Sequence, residues 1–277
     1  MAPVRRPVQF PHRGEEGGRR RVEWPRRKLR HVRKLLVGSG RSRTEIEGPD
    51  LYGEIVFWGE WEALSRYETL NGFGVHRPVA PSRDQRPRGP QNTDPFVFGD
   101  RFLYTVCGQT RSQAKQLHSL GPGSVIVFGS VLKDRFVCDT VFVVLESVPH
   151  TRSTWPTALH GLVPHEFVLT TLEPMYSPRP RKGTQFTLHL GATPDRPIDG
   201  MFSFVPCRPR RKGRFERPAV DDLPGLPAGI KQAIRFNASI GAGEVVALWR
   251  RRARRVLERG LALGTYVELP RARARDY

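Results

Sequence analysis

The chain has 277 residues and carries 46 Lys or Arg against 27 Asp or Glu, which gives a formal net charge of +19. A hydrophobic content of 38% is enough for one large domain or two small ones with a real core. The apolar segments stop far short of the about 20 residues that a membrane-spanning helix needs, and none follows the N-terminal charges as in a secretion signal. We therefore expect a cytoplasmic protein that does not enter a membrane.

The positive charge is concentrated near the N-terminus. The first 44 residues hold fourteen Lys or Arg and three Glu, a net charge of +11, and the rest of the chain holds +8. Residues 1–28 lack apolar periodicity, so they are predicted to form a disordered basic arm. Such arms bind polyanions because each neutralised phosphate releases counterions. A start codon assigned too far upstream would also add such a segment, and both interpretations stay open.

Residues 29–207 have the pattern of a β-rich core. Their apolar segments are short, rich in aromatic and β-branched residues, and bounded by Gly or Pro. In chain order the predicted elements are strands near 35–37, 51–61 and 95–107, a short helix at 110–120, and strands at 123–130, 136–144, 165–172, 184–190 and 200–206. The strands at 123–130 and 136–144 are apolar on both faces, so we expect them in the centre of a covered sheet. The proline-rich residues 77–93 are predicted to form an exposed loop.

Residues 208–277 begin with a second basic patch at 208–217 and continue into an amphipathic helix at about 244–259. One face of this helix contains Val245, Leu248, Trp249, Arg252, Val256 and Arg259. The opposite face contains Arg250, Arg251, Arg254 and Glu258. We expect the first face to pack on the core and the second to be exposed. A last strand is predicted at 266–269.

These patterns together predict a β-rich α+β fold with a mixed or antiparallel sheet. The C-terminal amphipathic helix is predicted to pack on it. In this division, residues 1–28 are the arm, 29–207 the core domain, and 208–277 a basic loop and helical segment. The core and the C-terminal segment would form a single globular domain.

The aromatic strand at 51–61 provides the first candidate ligand site. Side-chain alternation places on one face Tyr52, Glu54, Val56, Trp58, Glu60 and Glu62. A nucleobase pocket uses a ring for stacking and a carboxylate that accepts hydrogen bonds from exocyclic amines. We take Trp58, Phe98 and Tyr104 as candidate ligand-binding residues. An ordinary half-buried strand shows the same alternation and is the alternative.

Three carboxylates are candidate catalytic groups: Asp139, Asp100 and Glu54. Asp139 lies in an otherwise apolar strand, where a carboxylate must be paired, hydrogen-bonded or protonated, and such groups concentrate at functional sites. In an enzyme these carboxylates would act as a general base or as Mg²⁺ ligands. The favoured alternative for Asp139 is a structural carboxylate bound to an arginine or to loop backbone.

No motif indicates a metal or a cofactor. The cysteines Cys107, Cys138 and Cys207 are far apart and are predicted to be small buried side chains. His160 and His165 do not have the spacing of a helical zinc motif. The sequence also lacks a nucleophile-elbow motif and a Walker phosphate-binding motif.

Residues 120–128, which read Leu-Gly-Pro-Gly-Ser-Val-Ile-Val-Phe, together with the strand at 136–144 resemble a hairpin of PUA-like domains (the ASCH and EVE groups). Ser124 stands where that pattern has Asp. The resemblance implies a small pseudo-barrel that binds RNA or a modified base in a cleft, with Trp58, Phe98 and Asp139 as pocket candidates by their chemistry alone. Three further segments, 52–62, 94–100 and 201–207, resemble blocks of an uncharacterised bacterial protein family.

The favoured functional hypothesis is nucleic-acid binding, with recognition of a modified or unpaired base in a prokaryotic modification or defence context. The candidate phosphate contacts are Arg208, Arg210, Arg211, Lys212, Arg214, Arg250, Arg251 and Arg254. One alternative is an enzyme that processes nucleotides or nucleic acid with a buried carboxylate. A second alternative is a scaffold subunit whose basic surface meets an acidic protein partner.

Overall fold

The structure is a computed structural model. It describes residues 3–11, 15–16, 32–70, 72–82, 93–110, 114–132, 135–176, 184–220, 234–236 and 240–272. Two mixed sheets and a long C-terminal helix form a β-rich α+β fold that includes a closed barrel, which confirms the predicted fold class. Within the described residues, no helix is long and apolar enough to span a membrane.

The strands are β1 (Pro7–Pro11), β2 (Glu15–Glu16), β3 (Val32–Arg43), β4 (Leu51–Glu60), β5 (Ser65–Leu70), β6 (Phe73–Pro78), β7 (Leu103–Tyr104), β8 (Val125–Leu132), β9 (Arg135–Thr151), β10 (Gln185–Gly191), β11 (Val205–Pro209), β12 (Arg235–Phe236) and β13 (Ala262–Val267). The helices are α1 (Ala114–His118), α2 (Trp155–Ala158), α3 (His165–Phe167), α4 (Glu173–Tyr176) and α5 (Ala242–Glu258). A π-helical turn covers Val168–Leu172, and a 3-10 turn covers Arg210–Lys212.

The barrel consists of β3, β4, β11 and β13. β4 pairs antiparallel with β3 and β11, and β13 pairs antiparallel with β11 and β3, which closes the ring. The closed ring is narrow. A Cβ atom added to Gly40 would lie 2.2 Å from the backbone oxygen of Tyr266, and one added to Gly264 would lie 2.8 Å from the side chain of Val205. Glycines therefore allow the strands to approach this closely.

The second sheet has the strand order β12-β1-β8-β9-β10-β7, with β1 parallel to β8 and the β8–β9 pair antiparallel. Strand β4 packs into two hydrophobic clusters at once. Ile55 and Phe57 belong to one cluster, while Val56 and Trp58 belong to the other. This is the alternation predicted for the aromatic strand, and it shows that both faces of the strand are covered at its C-terminal end.

The prediction for the N-terminal arm is wrong over β1. Val8 and Phe10 are buried, and β1 is hydrogen-bonded between β8 and β12. Two alternating apolar residues are enough to stabilise this short strand because it pairs with β8 on one side and β12 on the other. The other residues of the predicted arm, apart from 3–6 and 15–16, lie outside the described residues.

The strand predicted at 165–172 is also wrong, because this segment is helical in α3 and the following π turn. A short apolar segment does not distinguish a strand from a buried helix. The hydroxyl of Thr170 donates to the backbone oxygen of Glu166 at 2.7 Å, which is a helical contact one turn back.

The predicted strand at 95–107 is mostly irregular, and β7 is its only regular part. The carboxylate of Asp94 accepts backbone N–H bonds from Thr105, Val106 and Cys107 at 2.7–3.0 Å and so folds the chain into a turn. This buried cap removes the hydrogen-bonding groups that a longer strand would need. Of the predicted helix at 110–120, residues 111–113 lie outside the described residues, as do 83–92 of the predicted loop.

Helix α5 packs on the core as predicted. Trp249 lies against Phe202 and Phe204, and its indole N–H donates to the backbone oxygen of Phe202 at 2.9 Å. The predicted inner-face residues from Val245 to Val256 are buried, including Arg252. Arg259, assigned to the same face, is exposed because it lies beyond the last turn of the helix. The three cysteines are buried, also as predicted.

Candidate functional site: the mouth of the barrel

A cavity of about 810 Å³ lies at one end of the barrel. The antiparallel register brings the carboxyl ends of β3 and β11 to the same end as the amino ends of β4 and β13. We name this cavity the barrel mouth; its walls come from residues 42, 44, 51–55, 70, 209–212 and 260–262. Barrel mouths are common ligand sites because strand ends from several parts of the chain converge there.

The wall of the mouth contributed by β4 exposes two large side chains. Leu51 is 50% exposed and Tyr52 is 65% exposed, which makes them unusual among the large apolar side chains of the described residues. Ile55 and Leu261 also line the mouth but are buried. The hydroxyl of Tyr52 hydrogen-bonds to the carboxylate of Glu268, and this bond raises the pKa of the tyrosine. The bond anchors the hydroxyl end of the ring while most of the side chain faces solvent.

The 3-10 turn at Arg210–Lys212 forms a basic rim of the mouth next to the β4 wall. Arg211 and Lys212 are exposed, and we call these two residues the basic rim. Arg210 points instead to two carboxylates, with Nη1 2.7 Å from Glu54 Oε2 and Nη2 3.2 Å from Glu68 Oε2. The hydrogen bond from Arg210 lowers the pKa of Glu54, which therefore stays ionised at neutral pH.

Arg77 completes a ring of four charged groups. Its guanidinium lies 2.7 Å from Glu54 Oε1 and 2.7 Å from Glu68 Oε1. We call Glu54, Glu68, Arg77 and Arg210 the charge ring. The ring is electrically neutral. Arg210 and Glu54, two of the residues predicted from sequence, therefore form an ion pair at the edge of the mouth.

Other arginines of the predicted patch at 208–217 also have structural contacts. The guanidinium of Arg208 lies over the ring of Phe215 at 5.5 Å and donates to the backbone oxygens of Lys212 and Arg214 at 3.3–3.4 Å. Arg214 is exposed and lies over the ring of Trp58 at 5.4 Å. The patch therefore combines internal supports with exposed positive charge.

Asp139 belongs to a buried ion-pair network with Arg33, Glu60 and Arg217. Its Oδ2 lies 2.7 Å from Arg33 Nε and its Oδ1 lies 2.7 Å from Arg217 Nη1, while Arg33 Nη1 lies 2.9 Å from Glu60 Oε2. All four side chains are at most 3% exposed. Burial lowers the pKa of Arg33, but the two carboxylates outweigh it and the net direction is upward. This geometry matches the alternative in which Asp139 is a structural carboxylate bound to arginine.

The three predicted aromatic ligand residues are buried. Trp58 donates from its indole N–H to the backbone oxygen of Phe215 at 2.9 Å. Tyr104 donates to the backbone oxygen of Cys107 at 2.7 Å and stacks on His189. Such contacts explain why these rings are held in the core.

The remaining predicted residues are also apart from one another. Phe98 is 2% exposed and lines a second cavity of about 390 Å³, while Asp100 is exposed. The exposed ring at the mouth is Tyr52, on the same strand face as Trp58. The sequence signal that could have identified Tyr52 is its position, because Tyr52 lies near the first residue of β4.

Helix α5 carries a second basic surface. Arg250, Arg251 and Arg254 are exposed, as predicted from the helical wheel. The helix ends at Glu258, and residues 260–262, which follow it, line the mouth. A helix of this length spans about 25 Å. The arginine face of α5 therefore connects in sequence to the barrel mouth.

Within the described ranges, no group of three or more His, Cys, Asp or Glu side chains is arranged to hold a metal ion. No family model matches the sequence, and no curated protein or solved structure is significantly similar to it. The β8–β9 hairpin forms where the PUA-like resemblance lies, but it belongs to the six-stranded sheet and not to the closed barrel. The PUA-like resemblance stays a prediction.

Proposed function

We propose that the protein binds nucleic acid and accommodates an unpaired or modified base at the barrel mouth. The observation that carries this proposal is the meeting of the exposed Tyr52 ring, the apolar side chain of Leu51 and the basic rim at one cavity. Sites for single strands combine rings on which bases stack with cationic groups along the backbone path. A volume of about 810 Å³ is in the range of small-molecule sites and is sufficient for one nucleotide.

The charge distribution supports a backbone path that leaves the mouth. Arg250, Arg251 and Arg254 lie along the exposed face of α5, so phosphates following this face would meet three guanidinium groups. The net charge of +19 favours association with polyanions in general. The enzyme hypothesis has less support, because Asp139 is enclosed by two arginines and Asp100 and Glu54 lie elsewhere.

The proposal is tested with fluorescently labelled single-stranded and duplex oligonucleotides over about 50–200 mM salt. Changing Arg250, Arg251 and Arg254 to Ser is expected to flatten the slope of log K against log salt by about 2, because three phosphate contacts are removed. The matched control changes three exposed basic residues outside the mouth and α5, namely Lys115, Arg152 and Arg196, with the same loss of charge. Equal effects of the two triple variants would contradict a localised path.

A separate substitution tests whether a base stacks on Tyr52. Tyr52→Ser is expected to weaken single-strand binding by about 1–3 kcal/mol, the usual contribution of one stacked base, while Tyr52→Phe keeps the ring and binds like the wild type. Binding that does not respond to salt, or no binding at low salt, would overturn the proposal. Binding of an acidic polypeptide in preference to oligonucleotides would favour the scaffold alternative.

A further inference from the structure

The charge ring has a geometry that an oxyanion ligand can reproduce. Two guanidinium groups, from Arg77 and Arg210, are bridged on both sides by carboxylates from Glu54 and Glu68, with contacts of 2.7–3.3 Å. Planar guanidinium groups in this arrangement match the oxygens of a carboxylate or a phosphate equally well. The carboxylates thus occupy the positions that phosphate oxygens would take.

The ring also lies where a ligand at the mouth can reach it. Glu54 and Arg210 line the barrel mouth, while Arg77 lines the second cavity, so the ring joins residues of both cavities. The four side chains are 21–39% exposed, so water already competes for their charges. An isolated, partly exposed ion pair contributes little to stability, but four linked pairs contribute more, so a phosphate replaces the carboxylates only if it engages both arginines.

From this geometry we propose that Arg77 and Arg210 form a phosphate-binding site at the edge of the barrel mouth, which Glu54 and Glu68 keep occupied until a nucleic-acid phosphate replaces them. This inference rests on the proposed function, because it names a second contact for the same ligand. The carboxylates act as an internal competitor. They lower affinity for any anion that cannot engage both arginines at once, and they hold the two guanidinium groups in a ready orientation.

The test compares two double variants that remove the same negative charge. Glu54→Gln with Glu68→Gln weakens the internal competitor, while Glu146→Gln with Glu173→Gln removes two carboxylates that do not line the mouth. We expect the first variant to bind a single-stranded oligonucleotide about 5- to 10-fold more tightly than the second. Its salt slope is expected to stay close to that of its control, because Arg77 and Arg210 contact phosphates in both complexes and only the internal competition differs.

A further variant separates this site from general electrostatics. Adding Arg77→Gln and Arg210→Gln to the Glu54 and Glu68 double variant restores the wild-type net charge and is expected to abolish the gain. A gain that persists without the two arginines, or a double variant that binds like its control, would overturn the inference while leaving the proposed function intact. Absence of binding in every variant, wild type included, would remove the proposed function itself.

Folding of each variant is followed by its thermal melt. If the double variant does not fold, Glu54→Gln alone weakens one bond to each arginine and is expected to give part of the gain. A single variant that folds and binds like Glu146→Gln would also contradict the inference.

Discussion

Replacing Asp139 by Asn removes a negative charge that two buried guanidinium groups share. The side chains of Arg33 and Arg217 are 1% and 0% exposed, and both lie 2.7 Å from this carboxylate. Glu60 then remains to balance Arg33. Breaking a buried ion pair from one side costs about 3–5 kcal/mol, because the partner charge stays buried. We expect Asp139→Asn to lose this amount from its free energy of unfolding.

The corresponding change in melting temperature follows from the length of the chain. An unfolding entropy of about 2.1 cal/mol/K per residue gives roughly 0.6 kcal/mol/K for the whole chain, so the expected decrease is about 5–9 °C. Scanning calorimetry measures it directly. The control is Asp100→Asn, an exposed carboxylate whose loss should change stability by less than about 0.5 kcal/mol.

The opposite outcome is equally clear. If Asp139→Asn melts within about 1 °C of the wild type and loses oligonucleotide binding, the reasoning from the buried ion-pair network is wrong. Asp139 would then be a functional carboxylate, and the enzyme hypothesis would regain its main candidate.

Three further predictions concern stability. Burial lowers the pKa of His150 to about 4 and that of His189 to about 3, so protonation of these two rings should take several kcal/mol from the stability as pH drops from about 6.5 towards 4. Burial raises the pKa of Asp94 to about 7, which acts in the opposite direction over the same range. The histidine contribution is therefore measured as the difference between the wild type and a variant with both histidines changed to Gln, by urea unfolding at each pH. Asp94→Asn should cost about 1–3 kcal/mol in the same assay, because an amide has one acceptor oxygen for three backbone N–H groups. Gly40→Ala should cost about 1–3 kcal/mol by overpacking, whereas Gly53→Ala, which meets nothing within 4 Å, should not suffer this loss.

Local alternation in the sequence predicted much of the fold, because side chains that point to opposite faces of a strand enter different clusters. The pattern of Ile55 and Phe57 against Val56 and Trp58 is an example. Local alternation could not predict how the barrel closes. The hydroxyl of Thr265 donates to the backbone oxygen of Arg41 across 224 residues, and no local pattern specifies such a pairing.

The candidate site was predicted in part. Glu54, Arg210, Arg211 and Lys212 were chosen from sequence, and the structure brings them together at one cavity. The sequence did not reveal which arginines have partners. Glu54 is 156 residues from Arg210, and Asp139 is 78 residues from Arg217, so an arginine-rich segment looked uniformly exposed when it was not.

The position of β1 has a consequence for synthesis of the chain. Arg6, next to β1, hydrogen-bonds to Ser124 across 118 residues, and the whole of β1 pairs with β8 at a similar separation. At roughly 5–20 residues per second, β1 leaves the ribosome about 6–24 s before its partner exists. During that time Val8 and Phe10 have no sheet to enter. An N-terminal fusion or truncation should therefore affect folding yield more than it affects the barrel mouth, which is built from later strands.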